Sequence, residues 1–280
     1  MRTLKVACVQ NCATPDVEES ATSALALSRR AIACGAQLVC LPEFFAGLRG
    51  ENGAFYPAAF EEPAHPVLAA FREAARKSGI WFLLGSLGVR TSSGLVNNRA
   101  YVIDGSGAVV ARYDKIHLFD VALDAGRIYR ESTTIEPGAQ AVVAPTPWGG
   151  LGLSICYDLR FAALYRALAK GGASLLAVPA AFTKVTGEAH WHVLNRARAI
   201  ETGSFVISPC QYGRIQGGGE CFGHSLIVDP WGRVLAEGGE DEAVVMAELD
   251  LGQVERARRQ VPALKHDRPI VAPARVAAAE

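Results

Sequence analysis

Short runs rich in valine, leucine and isoleucine alternate along this chain with longer amphipathic stretches, and that alternation constrains the fold more than any other feature. "KVACVQ" reads as a strand; Asp16 then caps a helix running to about Cys34, and "AQLVCLPE" returns to strand. "PVLAAFREAARKSG" has helical apolar spacing and "WFLLGSLGV" is extended. Hairpin signals at "TSSG" and "DGSG" follow, so antiparallel pairing is mixed into the sheet. The second half repeats this grammar: "AVVAPTPWGGLGLSIC", a helix, "SLLAVPA", a helix over "EAHWHVLNRARAIET", "FVISPC", and a hairpin turning at "DPWG". Strands this apolar with helices between them predict an α/β protein whose sheets are covered by helices.

With 280 residues, half of them apolar, the chain can bury a large core, and no stretch has a linker's composition. Residues 1–280 are therefore expected to form a single domain. Lys plus Arg balances Asp plus Glu at 28 each, leaving no net field to attract nucleic acid or an anionic membrane. The expected partner is a small molecule. No apolar run approaches the ~20 residues that span a bilayer, and the start has no signal-peptide pattern, so a cytoplasmic protein is expected. Seven scattered cysteines without CxxC spacing indicate neither a disulfide framework nor a zinc site. His117, His190, His192 and His224 are read as no zinc-like cluster, and the histidines of "HWH" as facing different sides of a helix. No metal or organic cofactor is expected.

Three apolar strands end on reactive groups: "AQLVCLPE" on Glu43, "AVVARYDK" on Lys115 and "GLGLSIC" on Cys156. Ligands collect outside the carboxyl ends of strands in helix-covered sheets, so the three can converge there. A free thiol is a poor nucleophile near neutral pH and needs a base or a neighbouring cation. Carboxylate, ammonium and thiol together supply the roles of covalent amide hydrolysis. A helix expected just after Cys156 adds unpaired N–H groups and a positive dipole end. Asp158 and Arg160, a turn further on, read as a buried ion pair that fixes that helix.

"LPEFF", "YDKIHLFD" and "SICYDLRF", in this order, resemble the three catalytic segments of the nitrilase superfamily of carbon–nitrogen hydrolases, and the resemblance runs from "KVACVQ" to "KHDRP". It implies a four-layer α-β-β-α sandwich and a Glu43–Lys115–Cys156 triad. It also implies a supporting carboxylate at Glu131 and an oxyanion donor in the backbone N–H of Tyr157. Phe182, Thr183, His190, Arg127 and Lys184 are the candidate substrate-binding residues, with Arg130 and Arg214 also in loops near the rim. The family's habit of pairing sandwiches implies at least a homodimer, with the apolar tail from about residue 268 packing on a partner subunit.

"CYDLRF", "TGEAHW", "RARAIET", "GHSLIVDPWG" and "HDRP" most resemble the branch containing deaminated glutathione amidase and omega-amidase. The expected reaction is hydrolysis of deaminated glutathione to α-ketoglutarate and cysteinylglycine. Omega-amidase activity on α-ketoglutaramate or succinamate, N-carbamoyl hydrolysis, a glutaminase serving a separate synthetase and a catalytically silent scaffold stay open. Ala162–Ala163, where the family often has Pro-Glu, and Ser208–Pro209–Cys210 depart from common family wording.

Overall fold

The computed structural model describes residues 3–123 and 128–271. Arg127 and the last nine residues of the expected partner-packing tail lie outside the described residues. The Asp16 side chain opens helix α1 (Val17–Ala33) by accepting the backbone N–H groups of Glu18 and Glu19 at 2.9 and 3.0 Å, donors that have no partner within the helix. Helix α2 (Pro66–Ser78) starts on a proline and stops at Gly79, whose φ of 71° suits a residue without a Cβ.

One sheet is built around Thr3–Gln10, which pairs antiparallel with Ala243–Asp250 and parallel with Leu38–Cys40. Leu38–Cys40 pairs parallel with Trp81–Arg90, and the two expected hairpins carry the sheet on through Val96–Ile103 to Val109–Asp114. Two antiparallel steps return Val109–Asp114 to the direction of Leu38–Cys40, so both strands end on the same rim. The second sheet runs Val143–Thr146, Gly149–Leu153, Ala173–Ala177, Phe205–Ser208, Leu226–Val228, Val234–Glu237, with Gly149–Leu153, Ala173–Ala177 and Phe205–Ser208 parallel.

The two-residue period of a strand sorts side chains into layers. In Thr3–Gln10, Val6 and Cys8 join a buried cluster with Leu151, Leu153, Leu175 and Ile227 of the second sheet, whereas Ala7 and Val9 pack beneath Leu27 of α1 and Phe71 of α2. Helices α3 (Ala162–Lys170) and α4 (Lys184–Thr202) contribute Leu164, Leu168, Trp191 and Ala199 against the second sheet. Four layers result, α-β-β-α, as the resemblance implies. Helix α4 starts four residues before the expected Glu188, with the N–H of Gly187 bonded to the carbonyl of Thr183 at 2.8 Å. Helix α5 (Gly252–Gln260) is tied back by Arg258, which donates to the carbonyls of Ala173 at 2.6 Å and Thr202 at 3.0 Å. No described helix is long and apolar enough to cross a membrane.

Candidate active site

Two of the three reactive residues sit beyond their strands. Leu38–Cys40 ends three residues before Glu43, and Gly149–Leu153 ends three before Cys156; Lys115 directly follows Val109–Asp114. The segment bearing Glu43 is held by the neighbouring strand. Leu41 N–H donates to the Leu83 carbonyl at 2.9 Å, and Phe44 N–H donates to Ser86 Oγ at 3.0 Å. Gln211 Nε2, in the segment that follows Phe205–Ser208, donates to the Glu43 carbonyl at 2.7 Å. Phe44, at φ 48°, turns the chain away immediately afterwards.

Cys156 has the same left-handed backbone, φ 48°, a conformation that costs a residue with a Cβ about 1–3 kcal/mol and that marks sharp functional turns. It begins a short 3-10 turn, Cys156–Arg160, rather than the expected helix; α3 follows at Ala162. Asp158 fixes this turn. Its carboxylate accepts from Ile155 N–H at 2.9 Å, Tyr113 Oη at 2.7 Å and His117 N–H at 3.0 Å, with His117 Nδ1 also 2.7 Å away. Tyr113 and His117 flank Lys115 by two residues on either side, so one fully buried carboxylate joins the turn carrying the thiol to the segment carrying the ammonium. The expected Asp158–Arg160 ion pair does not form. Arg160 instead lies over the rings of Tyr157 and Phe182, at 5.7 and 5.5 Å from their centroids.

Lys115 Nζ is 2.8 Å from Glu43 Oε1 and 3.0 and 2.9 Å from the two oxygens of Glu131. Asn98 Nδ2 bridges the same two carboxylates at 2.8 and 3.2 Å. The remaining oxygens are capped by backbone N–H groups: Ala181 on Glu43 Oε2 at 2.9 Å, Phe119 on Glu131 Oε2 at 2.6 Å. All three charged side chains are buried. Burial by itself would push the lysine down, but the charges of Glu131 and Glu43 outweigh it and hold the ammonium well above its usual range. Burial raises Glu131, against the opposing pull of Lys115. Burial also raises the Cys156 thiol well above its usual value; the Glu43 charge adds to this and Lys115 opposes it. Both burial and the Glu43 charge favour the neutral thiol over the thiolate.

These groups face a cavity of about 410 Å³, including its open mouth. Glu43, Lys115, Glu131, Cys156 and Tyr157 line it together with Phe182 and Thr183. Its other walls include Phe44, Phe55, Phe119 and Thr186, none of which the sequence singled out. Aromatic residues in loops look alike in a sequence whether they line a pocket or pack beneath one. Asn98 was missed too, since its place between Glu43 and Glu131 depends on a strand register. Two sequence candidates stand outside the lining. Lys184 is ion-paired with Glu220 at 3.1 Å and Glu240 at 3.3 Å, and His190 is exposed with its Nδ1 3.2 Å from Arg160. Arg130 and Arg214 are exposed and outside the lining as well. The histidines differ from expectation in one respect: His192 and His224 meet on Glu237 Oε1, at 3.0 and 2.8 Å.

A thiol on a sharp turn, a carboxylate beside it, a fixed ammonium and the backbone N–H of Tyr157, whose neighbours Cys156 and Asp158 already donate to Pro179 and Ile155, can perform acyl transfer from an amide to sulfur and then to water. Comparison with known proteins points the same way. The carbon–nitrogen hydrolase profile matches residues 5–259. A deaminated glutathione amidase of Yersinia enterocolitica is 38% identical over 272 residues, covering 96% of this chain and 94% of that protein. Omega-amidase NIT2 of Mus musculus is 34% identical over 268 residues, covering 96% of each. The crystal structure of the C. elegans NitFhit protein superimposes with a TM-score of 0.85 at 34% identity; it covers 95% of this chain, which spans 65% of that longer one. By sequence and by fold, the chain belongs to the carbon–nitrogen hydrolases of the nitrilase superfamily.

Proposed function

We propose that the protein is an amidase that cleaves the amide of deaminated glutathione through a cysteinyl thioester, releasing α-ketoglutarate and cysteinylglycine. The observation that carries the reading is the buried Glu43–Lys115–Glu131 cluster set against Cys156. Glu43 takes the thiol proton as Sγ attacks the amide carbon, and Lys115 with the Tyr157 N–H holds the developing oxyanion. Glu43 then protonates the leaving nitrogen, the tetrahedral intermediate collapses to the thioester, and a water deprotonated by Glu43 releases the acid and restores the thiol. Glu131 keeps Lys115 in place.

The substrate class rests on similarity to the deaminated glutathione amidases and on the cavity's chemistry. Aromatic walls suit an acyl chain and a peptide-like leaving group. The Thr183 and Thr186 hydroxyls, 2.7 Å apart, offer hydrogen bonds, and Arg160, outside the lining but over the rings of the lining residues Phe182 and Tyr157, is the cation we assign to a substrate carboxylate. Omega-amidase activity is the second reading, favoured by the 34% identity to NIT2. We also propose that residues 1–280 act as one domain, as a homodimer, in the cytoplasm. All seven cysteines are unpaired, which suits a reducing compartment.

Product analysis with deaminated glutathione and α-ketoglutaramate, using Cys156→Ala as the control, tests the assignment. The expected result is faster release of cysteinylglycine than of ammonia, and no release of either by the variant. Preference for α-ketoglutaramate would transfer the protein to the omega-amidases. Turnover of neither compound would overturn the α-ketoglutaryl assignment, and unimpaired turnover by Cys156→Ala would overturn the thioester route.

A further inference from the structure

On the outer side of the second sheet, three side chains from separate elements converge at one point. His192 projects from α4, His224 from the loop before Leu226–Val228, and Glu237 from the end of Val234–Glu237. Their ligand atoms, His192 Nε2, His224 Nδ1 and one Glu237 oxygen, all lie within 4.8 Å of one another. The group is distinct from the cavity that holds Cys156, whose lining includes none of the three. We propose that His192, His224 and Glu237 form a binding site for a borderline divalent metal ion, with Zn²⁺ as the ion it suits best.

The donor set selects the ion. Two imidazoles and one carboxylate suit zinc and its transition-metal neighbours; magnesium and calcium favour all-oxygen sites, and copper(I) favours sulfur. Three protein ligands leave a fourth position for water, and side-chain exposures of 37, 23 and 34% for His192, His224 and Glu237 keep that position open to solvent. Spacing also fits. At zinc bond lengths of about 2.0–2.1 Å, neighbouring ligand atoms of a tetrahedron lie roughly 3.3 Å apart. The nitrogen-to-oxygen distances here are 3.0 and 2.8 Å, so insertion asks each side chain to withdraw by a fraction of an ångström.

His224 is already held in place. Its N–H donates to the Gly239 carbonyl at 2.9 Å, its carbonyl accepts Trp191 Nε1–H at 2.8 Å, and its ring stacks on Phe222 with centroids 4.3 Å apart. Trp191 directly precedes His192, so one hydrogen bond couples the two elements that supply the imidazoles. Without metal, a single carboxylate oxygen serves as acceptor for both rings. With metal, the two ring protons facing Glu237 are absent and the ion takes their place, so binding competes with protons at these nitrogens. A bound ion ties α4 to the Phe222–His224 segment and the edge strand. Because Thr186 of α4 lines the catalytic cavity, this also stiffens one of the cavity's walls.

The test uses full-length protein stripped with a chelator, titrated with Zn²⁺ by calorimetry and followed by thermal denaturation. Saturable binding of one ion per chain at micromolar Zn²⁺ is expected, with a rise in Tm. His192→Ala and Glu237→Gln should each weaken binding at least tenfold while keeping the circular dichroism of the metal-free parent. Co²⁺ supplies a spectroscopic check: a site of nitrogen and oxygen ligands lacks the thiolate charge-transfer band that a cysteine site shows. No saturable binding, a thiolate band, or equal affinity in folded His192→Ala and Glu237→Gln proteins would each overturn the proposal.

Discussion

Lys115 has two roles that a single substitution cannot separate. Among the described residues lining the cavity it is the only positive charge, and in the proposed mechanism it also holds the oxyanion. Removing one partner of a buried ion pair leaves uncompensated charge and costs about 3–5 kcal/mol. Lys115→Met strands two buried carboxylates and should lower both stability and activity. Pairing it with Glu131→Gln removes one of those carboxylates at nearly constant volume. The Lys115→Met/Glu131→Gln protein should regain part of the lost stability in urea denaturation, yet its turnover should remain at least about 100-fold below wild type for want of the oxyanion donor. If turnover returned together with stability, Lys115 would be a structural counter-ion and no more. Asp158 shows a different kind of residue effect. It is further than Lys115 from the proposed chemistry, but its four contacts with Ile155, Tyr113 and His117 set the distance between the thiol's turn and the ammonium's segment.

The strand Trp81–Arg90 carries none of the reactive groups, but it decides where one of them sits. Its pairing with Val96–Ile103 slips between Leu84 and Leu87, and within that slip Gly85 lets the backbone press against the chain leading to Glu43. A Cβ at Gly85 would collide with the Leu41 carbonyl and Pro179, and would come within 2.6 Å of the Pro42 carbonyl carbon. Backbone cannot swing aside as a flexible side chain can. Gly85→Ala should therefore push Leu41–Pro42 outward and shift Glu43 from the sulfur, and a displacement near 1 Å can cost about 100-fold in rate. The expected signature is a large fall in kcat with a lower Tm, compared against Gly239→Ala, where an added Cβ meets nothing within 4 Å. Wild-type kcat in Gly85→Ala would show that this contact does not position Glu43. The same strand shows what the sequence made legible. Its extended character, the turns at Thr91–Gly94 and Asp104–Gly107 and the Asp16 cap are local signals, and they read correctly because each acts within a few residues. The slip at Gly85, the Asn98 bridge and the meeting of His192 with His224 depend on chain segments far apart in sequence, and no local pattern encodes them. Arg160 was misread for the same reason: its spacing from Asp158 suggested a pair, but Asp158 was already satisfied by Tyr113, His117 and Ile155.

At the scale of the whole molecule, the outer face of α4 carries the exposed apolar side chains on which the proposed homodimer can be tested. Val185, Val193 and Ile200 are 45, 67 and 56% exposed, and at 100° per residue they fall within one stripe about 80° wide, together with Ala189 and the exposed Arg196, whose Nε donates to the Gly232 carbonyl at 2.8 Å. Trp231, 54% exposed, lies in the turn whose Gly232 abuts Ile200. Single exposed apolar side chains are ordinary; an aligned set on one helix face is where we place the contact of the proposed homodimer. For the proposed homodimer, a twofold contact is the economical arrangement: α4 would meet α4 of a second copy, each Val193 facing the same patch on the other chain. Ile270 and Val271, the last described residues of the tail, are 94 and 87% exposed as well. Val193→Asp places a charge midway along the stripe twice per dimer, and its surface position leaves the monomer's core untouched. Sedimentation at micromolar concentration should give a dimer for the parent and a monomer for Val193→Asp, with circular dichroism unchanged. A parent that sediments as a monomer would remove the homodimer altogether, whereas a dimer that survives Val193→Asp would move the interface away from α4. Thr186 in the first turn of α4, and Phe182 and Thr183 just before it, line the cavity that holds Cys156, so a dimer formed through α4 would clamp an element that shapes the proposed substrate pocket, and loss of the dimer should raise KM more than it lowers kcat.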